Sequence, residues 1–220
     1  AVIYGQNHTV LAVKRLNART HGPTLTEEHN RITTLGGTIG DIEGVVRVYA
    51  CENPIKNLNL SRAIGDFDCA PYLIADADIN ITSIASLIHE FNINPTDITK
   101  TQVITTCDGF TEPVTIIQKE LEHFAHERYL KRSLLKFQGT TELELAKHLA
   151  QRAYDDESWD NISVAVQTIP EDYSGMLGVY DGHGGTKSSH FAAKNISKAL
   201  VHQCQLTEAD YANQKHSVQN

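Results

Sequence analysis

Gly178-Val179-Tyr180-Asp181-Gly182-His183-Gly184-Gly185 sets a carboxylate on a glycine-hinged turn, between an apolar run and a segment of helix-like composition. A strand end presents a metal ligand in this way. A hard cation such as Mg²⁺ or Mn²⁺ takes oxygen donors and keeps several waters. Its sites therefore use few carboxylates, widely spaced in sequence and often joined by a backbone carbonyl. Asp181 with the carbonyl of Gly182 meets that requirement. Two further aspartates stand in the same local setting. Asp108 closes the apolar run Val103-Ile104-Thr105-Thr106-Cys107 and precedes Gly109, while Asp160 and Asn161 introduce Ile162-Ser163-Val164-Ala165-Val166. Aspartate, asparagine and glycine also gather at strand ends as turn formers, so each aspartate alone reads as turn chemistry. The three together predict carboxylates converging from separate strand ends.

The rest of the chain bounds what such a site serves. At 220 residues with 40% hydrophobic content, one globular domain buries a substantial core, roughly 70% of its unfolded surface at this size. No apolar run approaches the roughly 20 residues that span a bilayer, and the first residues show neither a charged start nor a cleavage-site pattern. A membrane-inserted protein is not expected. The formal net charge of -8 and scattered lysines and arginines argue against a nucleic-acid partner, which needs clustered positive charge. The one basic concentration, His126 to Arg132, reads as the solvated face of a helix.

Cys51, Cys69, Cys107 and Cys204 are far apart and form no CxxC pair, so neither zinc spacing nor a disulfide framework is suggested. A reducing, cytoplasmic compartment is the simplest reading. Cys107 beside Asp108 reads as a buried thiol closing a strand rather than a nucleophile, since no Cys-His signature surrounds it.

Short β-branched runs such as Val45 to Tyr49 alternate with longer segments of helical periodicity. Thr115 to Phe137 carries Ile117, Leu121, Phe124, Leu134 and Leu135 near helical spacing and is expected to pack on a sheet. Glu142 to Tyr154 repeats the pattern through Leu143, Leu145, Ala146 and Leu149, breaking at Asp155-Asp156-Glu157. Phe191 to Val201 gives a third helix. Composition alone indicates only α+β.

Taken with Leu60-Ser61-Arg62-Ala63-Ile64-Gly65-Asp66, the aspartate segments resemble the metal-dependent protein serine/threonine phosphatases of the type 2C family. GVYDGHGG, LSRAIGD, TTCDGFTEPV and WDNISVAV each look like a signature of that family. Leu25 to His29 with Arg31, Ile32, Gly36 and Gly37 resembles a fifth, weaker block. The resemblance implies a single catalytic domain over 1–220, built as an αββα sandwich. In it two antiparallel sheets pack face to face, flanked by helices on both outer faces, with the metal site at one end.

The resemblance also assigns roles by motif position. Asp181 would bridge two Mg²⁺ or Mn²⁺ ions with the Gly182 carbonyl assisting one, and Asp108 and Asp160 would hold the second. His183 would protonate the departing serine or threonine oxygen. A third, weaker ion would fall to Asp66, which reads equally as a turn or cap aspartate after Gly65. Arg62 stands either as a phosphate clamp, since guanidinium matches phosphate oxygens bidentately, or as a structural ion pair. The substrates implied are phosphorylated proteins. Two metals about 3.5–4 Å apart would ready a bridging water for in-line attack on phosphoserine or phosphothreonine, without a covalent phosphoenzyme.

This chain departs from the family's order. The DGHGG block lies late instead of near the amino terminus, so the motif order is circularly permuted, or segments are missing or joined out of native order. The Tyr173 to Asn220 piece resembles the family's early strand and first long helix. An amino-terminal arginine followed by a Glu-Asp pair, used by the family to bind phosphate and the outer metal shell, is not found, nor is its Gly-Asp-Ser-Arg strand. These gaps support a rival reading, a catalytically weak or inactive relative that binds partners as a regulatory module. A different metal hydrolase acting on small phosphate esters is the third.

Overall fold

A computed structural model of the chain describes residues 1–17, 21–42, 44–49, 57–114, 125–170, 176–182 and 185–217, with side chains described as far as 202. Two compact units emerge, Ala1–Leu16 with Thr82–Asn220, and Asn17–Ile81. The class is α+β with two antiparallel sheets.

The first unit is built on four strands, β1 (Val2–Tyr4), β2 (Val10–Val13), β5 (Lys100–Thr106) and β6 (Val164–Thr168), in the order β2-β1-β5-β6. Every pairing in it is antiparallel. β1 alternates as a strand must: Val2 and Tyr4 join one apolar cluster and Ile3 another. Both faces of the sheet are therefore covered. On one face Val2, Tyr4 and Val13 meet Ala125, Tyr129 and Leu134 of α3 (Ala125–Leu134) and Leu145, Leu149 and Ala153 of α4 (Glu142–Asp155). On the other, Ile3 and Ala12 meet Leu87 of α2 (Ile84–Glu90).

α4 starts where the sequence places it because Thr141 and Glu144 form a reciprocal capping box. Thr141 Oγ1 accepts from the Glu144 N–H at 3.2 Å and Glu144 Oε2 from the Thr141 N–H at 3.0 Å. Its buried stripe is Leu145, Leu149 and Ala153, whereas Leu143 is largely exposed. Leu143 lies two residues before Leu145 and so points to another side of the helix. Likewise Leu134 is buried and Leu135 exposed at the end of α3. Ile117, Leu121 and Phe124 lie outside the described residues.

α5 runs from Lys187 to Ser217, much longer than Phe191 to Val201. Phe191, Leu200 and Val201 are exposed, and Ala192 is its one buried residue among those described. The strand expected ahead of Asp181 is not formed. Residues 176–182 are irregular, because no ladder reaches them beyond β6 and Gly178 disfavours extended pairing.

The second unit holds α1 (Thr26–Thr34) and the hairpin of β3 (Thr38–Ile42) and β4 (Val45–Tyr49), in register from Thr38 opposite Tyr49 to Ile42 opposite Val45. Ile32, Val48, Leu58, Cys69 and Leu73 form its core. Cys69 is completely buried and disulfide-bonded, against the expectation of dispersed reduced thiols. Spacing along a chain does not report which thiols folding brings together. Among the described residues no helix is long and apolar enough to cross a membrane.

Candidate metal centre

β5 ends at Thr106, and Asp108 opens a single 3₁₀ turn through Phe110. Phe110 is buried and meets Tyr129 of α3 with ring centroids 5.3 Å apart, which plants the turn in the core and leaves the Asp108 carboxylate at the surface. Facing it is the segment leading into β6. The Cys107 N–H donates to Ser163 O at 3.2 Å. Cys107 Sγ donates to Asn161 O at 3.0 Å and accepts from the Ser163 N–H at 3.1 Å. Asp160, whose Oδ1 accepts from the Asn161 N–H at 2.7 Å, is thereby carried beside Asp108.

The third aspartate arrives from the other end of the unit. Asp181 Oδ1 accepts from the Gly182 N–H at 2.9 Å. A β-carbon at Gly182 would stand 2.9 Å from both Gly185 O and Ser189 Oγ, so this turn into α5 has no room for a side chain. Ligand atoms of Cys107, Asp108 and Asp181 all lie within 4.8 Å of one another. Burial, then a hydrogen bond with Asp181 and the negative charges of Asp160 and Asp181, raise the Asp108 carboxyl above its ordinary value.

This donor set fits a hard divalent cation. The Cys107 sulfur is already held between Asn161 and Ser163, so the oxygen donors left in the cluster are the carboxylates of Asp108 and Asp181. Carboxylates pressed together are the arrangement that a cation relieves.

His183 lies outside the described residues. Asp66 belongs to the second unit, in left-handed backbone (φ 50°, ψ 41°) at the start of the Phe67–Cys69 turn, a conformation aspartate tolerates. Arg62, in the same unit, gives Nη2 and Nε to Glu28 Oε1 at 2.5 and 3.0 Å and Nη1 to Asp78 Oδ1 at 3.3 Å. This is the ion-pair arrangement left open beside a phosphate clamp.

Sequence reading passed over Glu112, whose Oε2 receives the backbone N–H groups of Trp159 and Asp160. Its place inside TTCDGFTEPV was visible, but partners more than forty residues away are set by folding alone.

The model of the family described as Protein phosphatase 2C matches residues 1–162; Asp181 lies beyond the matched stretch. Protein phosphatase 1F of Rattus norvegicus is 26% identical over 180 residues, covering 82% of this chain and 34% of the relative. The chain thus spans about a third of the length of that curated relative. Among solved structures, a phosphatase from a pathogenic strain of Toxoplasma gondii aligns with 77% of this chain and 46% of its own, at 23% identity and a TM-score of 0.48. A C. elegans sex determining protein aligns with 76% of this chain and 34% of its own, at 22% identity and a TM-score of 0.41.

Proposed function

The chain belongs to the protein phosphatase 2C family, and on that premise we propose that it hydrolyses phosphoserine and phosphothreonine on proteins, using two Mg²⁺ or Mn²⁺ ions. The observation that carries this reading is the convergence of Asp108 and Asp181, with the charge of Asp160 beside them. Asp181 and the Gly182 carbonyl, with Asp108 and Asp160, would hold the ions. Bound there, the cations supply Lewis acidity, readying water for attack at neutral pH and offsetting phosphoryl charge.

The chain's own groups do the rest. The Cys107-Asn161-Ser163 contacts keep Asp108 and Asp160 in fixed relation, so little ordering remains when a cation enters. His183 gives a proton to the departing serine or threonine oxygen, a role that follows from its place in the DGHGG block. In this reading Tyr173 to Asn220 stands, in a permuted order, for the family's early segment and first long helix, the helix being α5 and the strand not being formed at residues 176–182. A compact domain tolerates such reordering because packed contacts do not depend on covalent sequence.

Turnover of a phosphothreonine peptide should cease on chelation and return with Mn²⁺ or Mg²⁺. Recovery with Zn²⁺ alone would contradict the oxygen-donor reading. A folded protein that binds Mn²⁺ yet releases no phosphate from any ester would be the regulatory relative. Release from small esters but not from phosphopeptides would mark a different metal hydrolase.

A further inference from the structure

Glu112 stands just past the 3₁₀ turn that Asp108 opens, and its side chain crosses to the segment that carries Asp160. One oxygen, Oε2, accepts from the Trp159 N–H at 2.7 Å and the Asp160 N–H at 3.0 Å and lies 2.7 Å from Ser158 Oγ. The Ser158 hydroxyl also reaches Gly109 O at 2.7 Å, so its single proton is shared between the two ends of the Asp108 turn. Successive N–H groups aimed at one point make a concavity for an anion, and here the chain fills it with its own carboxylate. Two backbone N–H groups and one hydroxyl around Asp160 are thus fixed to the Asp108 turn by a residue absent from the ligand set.

We propose that Glu112 is a positioning residue for the metal centre: by holding the backbone of Trp159 and Asp160 it keeps Asp160 beside the Asp108 turn, in reach of a cation bound there. It acts through Asp160, since its Oε2 is already taken up by these donors. The inference rests on the reading of Asp108, Asp160 and Asp181 as a cation site. What the clamp requires is an oxygen acceptor at the right reach, with the negative charge secondary. Glu112→Gln keeps that acceptor, Glu112→Asp keeps the charge but falls a methylene short, and Glu112→Ala removes both.

The experiment is Mn²⁺ titration of the full chain and the three variants by calorimetry, with metal-free thermal unfolding in parallel to establish that each is folded. Glu112→Ala and Glu112→Asp are expected to lose about 10- to 100-fold in Mn²⁺ affinity, the usual effect of removing a residue that orients a ligand. Glu112→Gln should bind close to wild type. Should the alanine variant fail to fold, the Asp and Gln variants alone decide the matter. Unchanged affinity in Glu112→Asp, or a loss in Glu112→Gln as large as in Glu112→Asp, overturns the clamp while leaving the cation site standing. A wild-type protein that binds no Mn²⁺ overturns the cation site itself, and the inference with it.

Discussion

The position a β-carbon would occupy on Gly109 is filled by the backbone oxygen of Asn161. The turn bearing Asp108 and the segment bearing Asp160 therefore touch backbone to backbone, and the closeness of the two segments depends on a missing side chain. Gly109→Ala must push them apart. We expect a loss of about 1–3 kcal/mol of stability, the range for overpacking a filled site, together with weaker Mn²⁺ binding. Urea unfolding and Mn²⁺ titration measure the two. An unchanged midpoint would mean that the segments yield freely.

Asp108 carries a raised carboxyl pKa, from burial first and then from Asp181 and Asp160. A carboxyl raised by folding stabilises the native state below its unfolded pKa, and that contribution is lost as pH rises through the folded value. At neutral pH the metal-free protein thus bears an electrostatic cost at this site. Asp108→Asn is expected to raise the midpoint of thermal unfolding in chelator and to abolish most of the increase that Mn²⁺ gives the wild type. A variant less stable in chelator but still stabilised by Mn²⁺ would be inconsistent with a strained carboxylate cluster.

Glu28 is the opposite case. It is 2% exposed, with Oε1 bound by Arg62 and Oε2 by Arg31 Nη2 at 2.8 Å. Burial pushes its carboxyl up, but the hydrogen bonds from Arg62 and then Arg31 outweigh this and lower it from 4.5 to about 2. The resulting stability is fully present above pH 4.5 and drains away as pH falls toward 2. Glu28→Gln removes the carboxylate shared by Arg31 and Arg62, leaving Asp78 beside Arg62, and should cost about 3–5 kcal/mol at neutral pH. Unfolding free energies across that acid window should fall for the wild type and stay nearly flat for the variant.

Thr141→Ala removes the cap at the start of α4, and a loss of about 1 kcal/mol is expected from thermal or urea unfolding. The helix buries Leu145, Leu149 and Ala153 against the sheet, so the effect should be global rather than a local fraying seen only in amide exchange.

What sequence could reveal follows from how local each signal is. Asp108 after β5 and the α4 boundary at Asp155 were legible because they depend on neighbours a few residues away. Of the three aspartates expected to converge, Asp108 and Asp181 share a cluster with Cys107, while no ligand atom of Asp160 belongs to it. Glu112 was not legible, since its partners Trp159 and Asp160 come from another segment. The missing strand before Asp181 has the same origin. Its apolar run reads as extended, but a strand exists only where a sheet edge receives it. The disulfide at Cys69 was likewise hidden by spacing.

The most direct test is phosphate release from a phosphothreonine peptide by the full chain and by Asp181→Asn, each at the same Mn²⁺ concentration and again after chelation. Metal-dependent release by the wild type, lost in the variant, is the expected result. Full release by Asp181→Asn would contradict the assignment of Asp181 to the metal centre.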